Sequence, residues 1–274
     1  MVPTEFFGSG STPRRNRDMA VAVLDVLGYS DLIEHRRPDH VARVLSALVR
    51  SSWSLNVQRD LDRYYRMAGR VAPELASAIA SDTLFMYLPR DEAEDSLLHN
   101  PGDLLLSFCY AVAQTIARCL YQGIKLRGAV AYGSAFLSSD PTFVVGRPFV
   151  EAYRLERLQE WIGAAVAKSA EDALLRAGQG VRQSFVVPCE VPLKPGKAVG
   201  ERLPKYAVNW AAQIGCAVGT RPPNWDTLLP PTDVRLRTKR HNTIRFFDAF
   251  RGIGSPSYIA PSADGDIWDN QDNA

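Results

Sequence analysis

Apolar residues run without a break from Ala20 to Leu24, and Val26 and Leu27 follow before Gly28 ends the pattern. So short and continuous a run predicts a central strand over residues 20–29, buried on both faces. Ser30 offers an N-cap for a short helix. Helical periodicity restarts after Pro38, runs through residues 41–49 and continues with rising polarity to about Met67. Residues 75–88, LASAIASDTLFMYL, predict two strands that turn at Ser81-Asp82, a β-hairpin with the aspartate at its tip. Residues 103–122 predict an amphipathic helix with Asp103 near its start. Residues 124–137 predict a strand in which Gly128 and Gly133 mark close approaches.

Further along, the pattern predicts a short strand at 142–146, a helix at 148–159 with Pro148 in its first turn, and a strand at 161–167. A capped helix at 169–178, late strands at 183–194 and 205–212, a Pro-rich loop at 219–233 and a final helix at 233–250 complete the series. The order β-α-β-β-α-β is that of an α+β, ferredoxin-like fold. No internal repeat and no sharp shift in composition divides the chain. The organisation expected is a mobile arm at 1–18, one catalytic-sized domain at 19–215, and a C-terminal extension at 216–274 ending in a disordered acidic tail.

Composition narrows the functional classes. Of 274 residues, 46% are hydrophobic and 23% charged, ordinary values for a globular chain able to bury a substantial core. The net charge of +2 is too near neutral to argue for a nucleic-acid coat or a membrane surface. No apolar run approaches the roughly 20 residues of a membrane span, and the N-terminal stretch does not read as a signal peptide. Cys109, Cys119, Cys189 and Cys216 show no metal spacing and read as reduced thiols. His35, His40, His99 and His241 show no ligand spacing either. The chain is therefore read as cytoplasmic, with neither membrane nor nucleic acid as partner. The basic stretch 235–241, RLRTKRH, reads as a solvated helix face, with nucleotide steering or a nucleic-acid contact as the alternatives.

Three stretches carry candidate chemistry. Asp25 stands near the end of a buried strand, where a charge costs several kcal/mol unless it is paired or bound to metal. Backbone N–H groups of Leu27, Gly28, Tyr29 and Ser30 in the turn after it suit a phosphate. Asp82 at the hairpin tip is either a turn residue or a second carboxylate for the same edge, because a ferredoxin-like sheet places that hairpin beside the first strand. With the Val26 carbonyl, the two would offer hard oxygen donors for Mg²⁺ or Mn²⁺. Arg154, in GRPFVEAYRLE (146–156), either faces solvent or neutralises a phosphoryl group.

Taken together these stretches resemble the class III adenylyl and guanylyl cyclase catalytic domain. DVLGYSDLI (25–33) is similar to that family's first-strand signature, and SDTLFMY (81–87) to its Gly-Asp hairpin with Ser81 in place of the glycine. LRGAVAYG (126–133), FVVGRPFVEAYRL (143–155) and AVAKSAED (165–172) resemble the strands and helices that follow. The resemblance implies a homodimer with active sites at the subunit interface. One chain would hold two Mn²⁺ or Mg²⁺ ions per site through Asp25, Val26 and Asp82, and the other would supply Arg154. It also implies a nucleoside triphosphate substrate, bound in part by Gly28, Tyr29 and Ser30, and a late lysine on the triphosphate, for which Lys194, Lys197 and Lys205 are candidates. The departures are as informative. The family's transition-state asparagine is Val150 here. Its two purine-reading positions are Ala78 and Phe143, neither of which can hydrogen-bond a base edge. That combination is similar to the pyrimidine cyclases of bacterial anti-phage defence. It implies cyclic UMP, ahead of cyclic CMP, as a messenger that reaches its effector by diffusion, with Phe143 against the base. A purine cyclase, or a degenerate fold that only binds nucleotide, are the alternatives.

Overall fold

The computed structural model describes residues 15–35, 38–39, 41–43, 46, 75–90, 99–137, 144–175, 185–196, 203–216 and 224–253. Strand β1 (Arg15–Val26) pairs antiparallel on both sides, and Met19 to Leu24 have no solvent exposure at all. That is why its sequence reads as a continuous apolar run. Its alternate residues serve different cores. Ala20, Ala22 and Leu24 join the main one, while Met19, Val21 and Val23 join a smaller one on the opposite face. The strand starts earlier than its apolar pattern suggested. Polar Arg15 to Asp18 continue it because Ser134 to Leu137 complete their ladder.

Helix α1 (Tyr29–His35) follows the turn at Gly28. The hairpin comes next, as strands β2 (Ala76–Ala80) and β3 (Thr83–Pro89). The helix expected over 41–49 and onward lies largely outside the described residues, among which 41–43 and 46 are helical. Helix α2 (Pro101–Tyr121) has a well-formed start. The Asn100 side chain accepts a hydrogen bond from the Gly102 N–H at 2.9 Å, and Pro101 stands in the first turn. It is buried nearly all round, Cys109 included, and burial pushes that thiol's pKa up. By length and composition alone α2 could cross a membrane, yet most of its apolar stretch is inside this fold, as in a core helix.

Strand β4 (Leu126–Leu137) pairs antiparallel with β1, and strand β5 (Val144–Gly146) pairs with its far end. Helix α3 (Arg147–Leu158) then lies over the smaller core, burying Pro148, Ala152 and Glu156. Strand β6 (Gly163–Val166), helix α4 (Lys168–Leu174), strand β7 (Val186–Pro188) and strand β8 (Tyr206–Val208) follow. The eight-stranded sheet runs β2-β3-β1-β4-β6-β8-β7, with β5 off this path. Its first four strands, antiparallel in the order β2-β3-β1-β4, form the ferredoxin-like α+β core that the element order implied.

Two expectations need correction. Helix α4 has Ala167 at its N-cap and no side-chain cap; the Ser169 hydroxyl instead accepts from the Tyr132 N–H at 3.0 Å. Residues 205–212 do not form one strand. Helix α5 (Trp210–Cys216) begins directly after β8, because the Asn209 side chain accepts from the Ala212 N–H at 3.3 Å and starts a helix there. Within the Pro-rich loop a single helical turn, α6 (Trp225–Leu228), is capped by Asn224.

The final helix, α7 (Arg237–Phe250), packs into the main core. Phe246 meets Trp161 edge-on at 4.7 Å and stacks on Trp210 at 5.6 Å. Thr243 Oγ1 accepts the Ile162 N–H at 2.9 Å. Residue 215 is thus no break in packing.

Strands β1 and β4 approach closely at Gly128, where an added Cβ would stand 2.3 Å from the Val23 carbonyl oxygen. Backbone cannot swing aside as a side chain can. Gly128→Ala is expected to destabilise the fold by about 1–3 kcal/mol, read as a lower urea midpoint with an unchanged slope.

Candidate active site

The end of β1 and the tip of the β2–β3 hairpin meet. Asp25 stands opposite Thr83 on one side and Arg127 on the other. The Val26 N–H donates to the Asp82 carbonyl at 2.9 Å, which ties the hairpin tip to the strand end. Ser81 turns that tip with a φ of +58°, a left-handed conformation that costs a side-chain-bearing residue about 1–2 kcal/mol relative to glycine. Gly28, at φ +81°, turns the chain away from β1 into α1, leaving Ser30 exposed and Tyr29 packed partly against the main core. The Leu27 N–H is already used by the Lys125 carbonyl at 2.9 Å, so it cannot join the phosphate cradle expected of this turn.

Asp25 does not stand alone. Arg127 Nη2 lies 3.3 Å from its Oδ2, and Arg127 Nε donates to Glu156 Oε1 at 2.7 Å. Gln159 completes the cluster. Its Nε2 donates to the Gly128 carbonyl at 2.7 Å, its Oε1 accepts from Trp161 Nε1 at 2.7 Å, and its own carbonyl receives Arg127 Nη1 at 3.4 Å. Sequence reading missed Arg127, Glu156 and Gln159. The signal was there: a lone arginine in an apolar strand needs a counter-charge, and Ala152, Glu156 and Gln159 share one helical face.

Burial raises the Asp25 pKa above the ordinary carboxylate value; Arg127 opposes the rise and the nearby Asp82 adds to it. Glu156 is likewise pushed up by burial and held back by Arg127. Lys194 is pulled down by burial and by Arg127, and its Nζ donates to the Arg157 carbonyl at 2.8 Å, beside this cluster. Of the other two candidate lysines, Lys205 is exposed and Lys197 lies outside the described residues.

Other expected residues fall elsewhere. Arg154 is exposed on α3 and lines a cleft of about 610 Å³ with Arg147, Glu151, Lys168 and Leu203; neither Asp25 nor Asp82 lines it. Val150 lines the same cleft and is 50% exposed. Ala78 is exposed on β2 opposite Phe85. Phe143 lies outside the described residues.

Two carboxylates of like charge, one of them destabilised by burial, suit a divalent cation. Among the described residues no group of three or more His, Cys, Asp or Glu side chains is placed to hold a metal ion, so the candidate side-chain ligands are the pair Asp25 and Asp82. A pair of carboxylates still fits Mg²⁺ or Mn²⁺, since such ions are commonly held by one or two carboxylates plus substrate phosphates.

No protein-family model and no curated protein sequence matches the chain. Among solved structures it is similar to the adenylyl cyclase CyaB from P. aeruginosa, at 12% identity and a TM-score of 0.42, covering 77% of this chain and 98% of that one. It is also similar to the guanylate cyclase domain of RhGC from Catenaria anguillulae in complex with GTP, at 13% identity and a TM-score of 0.43, covering 70% and 96%. A class III adenylyl cyclase-like ATP-binding protein from Pseudomonas aeruginosa matches at 13% identity and a TM-score of 0.42, covering 62% and 37%. At these values the likeness is one of general shape and carries no statement about activity.

The raised Asp25 pKa has a consequence for stability. A carboxylate with a higher pKa folded than unfolded is a liability at neutral pH, and the liability vanishes as pH falls toward the unfolded value. In EDTA, Asp25→Asn should therefore be more stable than the natural chain at pH 7. The gap should close as pH drops toward 4, which denaturant midpoints across that range would report.

Proposed function

We propose that this chain is a class III-type nucleotide cyclase. It acts as a homodimer that converts a nucleoside triphosphate to its 3′,5′-cyclic monophosphate and pyrophosphate. The observation that carries the reading is the meeting of Asp25 and Asp82 at one sheet edge, joined through the Val26 N–H. Asp25, Asp82 and the Val26 carbonyl would hold Mn²⁺ or Mg²⁺. When bound, the metal supplies a lowered pKa for the ribose 3′-hydroxyl and charge neutralisation on the triphosphate.

The chain's own groups do the rest. The 3′-oxygen attacks the α-phosphorus as the bond to the β-phosphate bridging oxygen breaks, and the hydroxyl proton leaves to water. The N–H groups of Gly28, Tyr29 and Ser30 would face the triphosphate. Arg154 of one protomer would stabilise the transferring phosphoryl group and the departing pyrophosphate in its partner's site. Its place outside the Asp25 cluster of its own chain accords with a site shared between subunits.

The favoured substrate is a pyrimidine triphosphate, UTP ahead of CTP, by resemblance to the anti-phage cyclases. Ala78 and Phe143 offer a base neither donor nor acceptor, so recognition falls to shape, stacking and main chain. The product would act as a cytoplasmic messenger on a separate effector. Val150, where the family carries an asparagine, favours a second reading, a protein that binds nucleotide without turning it over.

The readings part on product. Incubation with all four triphosphates and Mn²⁺, followed by mass analysis, should yield a cyclic pyrimidine nucleotide at least about tenfold faster than a cyclic purine, or roughly 1.4 kcal/mol of discrimination. Cyclic AMP or cyclic GMP as the main product would overturn the pyrimidine assignment. Bound nucleotide with no product would establish the binding module.

Subunit sharing has its own test. Asp25→Asn and Arg154→Ala should each be inactive, and mixing them under subunit exchange should restore part of the activity, since one of the two sites in the mixed dimer is intact. Exchange without recovery would place the whole site in one chain.

A further inference from the structure

How Arg127 is shared decides how much negative charge Asp25 retains. The arginine is 8% exposed, so its charge is met by protein groups and hardly by water. Toward α3 it makes close contacts, Nε at 2.7 Å and Nη2 at 2.5 Å from Glu156 Oε1. Toward β1 it makes one contact, Nη2 to Asp25 Oδ2 at 3.3 Å. Charge-assisted N–H···O bonds are ordinarily about 2.7–2.9 Å, so the guanidinium is committed to Glu156 and only leans on Asp25. Glu156 is itself fixed. It is buried on α3, and the residue that caps that helix, Gln159, is bolted to β4 by its Nε2 on the Gly128 carbonyl at 2.7 Å. The Asp25 side chain keeps 25% of its surface open.

We propose that Glu156 is a positioning residue, which draws Arg127 toward α3 and so leaves the Asp25 carboxylate available to a divalent cation alongside Asp82. The inference rests on the metal-binding reading of Asp25 and Asp82. Without the Glu156 charge, Arg127 is a full cation whose nearest carboxylate is Asp25. It closes on Asp25 and competes with the metal.

The test is Mn²⁺ binding to the nucleotide-free protein, followed by loss of the free-ion signal in electron paramagnetic resonance, with folding checked by circular dichroism. Glu156→Gln should weaken Mn²⁺ binding about tenfold, the lower end of what outer partners of metal ligands contribute. The double variant Arg127→Gln/Glu156→Gln removes the competing cation together with its counter-charge. It should bind Mn²⁺ at least as tightly as the natural chain. A merely structural role for Glu156 predicts that the double variant is as weak as the single one, and that result would overturn the proposal. Natural-strength binding by Glu156→Gln would overturn it as well. If Glu156→Gln does not fold, the double variant decides alone, and binding weaker than natural counts against the proposal. A natural chain whose Mn²⁺ uptake does not depend on Asp25 overturns the metal site, and this inference with it.

Discussion

Arg127 places a permanent positive charge inside the fold, and its neighbours are arranged around that fact. A guanidinium cannot shed its proton to escape burial, so β4 can carry it only if carboxylates arrive from other elements. Glu156 arrives from α3 and Asp25 from β1. Glu156 is the closer and more deeply buried partner, and removing one member of a buried pair like Arg127–Glu156 ordinarily costs about 3–5 kcal/mol. The cluster therefore fixes where α3 crosses the sheet, and α3 in turn carries Arg154 and Val150 on its outer side. The geometry of the outer cleft is inherited from a charge on the inside.

The same cluster sets the character of the sheet edge. Asp25 is drawn three ways, by burial, by Arg127 and by the like charge of Asp82. Each influence alone is ordinary. Their sum is a carboxylate poorly served by the protein around it, which is the condition under which an added cation gains most. Lys194 and Arg157 stand close by, so anionic oxygens arriving with a cation would also find positive charge.

Much of the fold was legible in the sequence because its central elements are buried in periodic ways. The apolar run of β1, the Ser81-Asp82 hairpin and helix α2 each follow from one pattern, and the Asp25–Asp82 meeting follows from their order. What escaped was decided by single contacts between distant segments. Arg15 to Asp18 look like a loose arm until β4 pairs with them. Trp210 looks like the continuation of a strand until the Asn209 side chain takes the Ala212 N–H. Arg127 in its apolar strand asks for a counter-charge, but that Glu156 and Gln159 supply its partners is decided only once α3 lies on β4.

The aromatic packing of α7 bears on how the chain comes off the ribosome. Trp161 and Trp210 are fully buried, yet part of what covers them is Phe246 and Phe247, near the end of the described residues. Strands β1 to β4 can pair as soon as they emerge, but the half of the sheet built on β6 and β8 waits for residue 250 before its tryptophans are sheltered from water. For that interval the faces of the two indoles that α7 covers stay open to water, and it is in this window that chaperones and aggregation compete for the nascent protein.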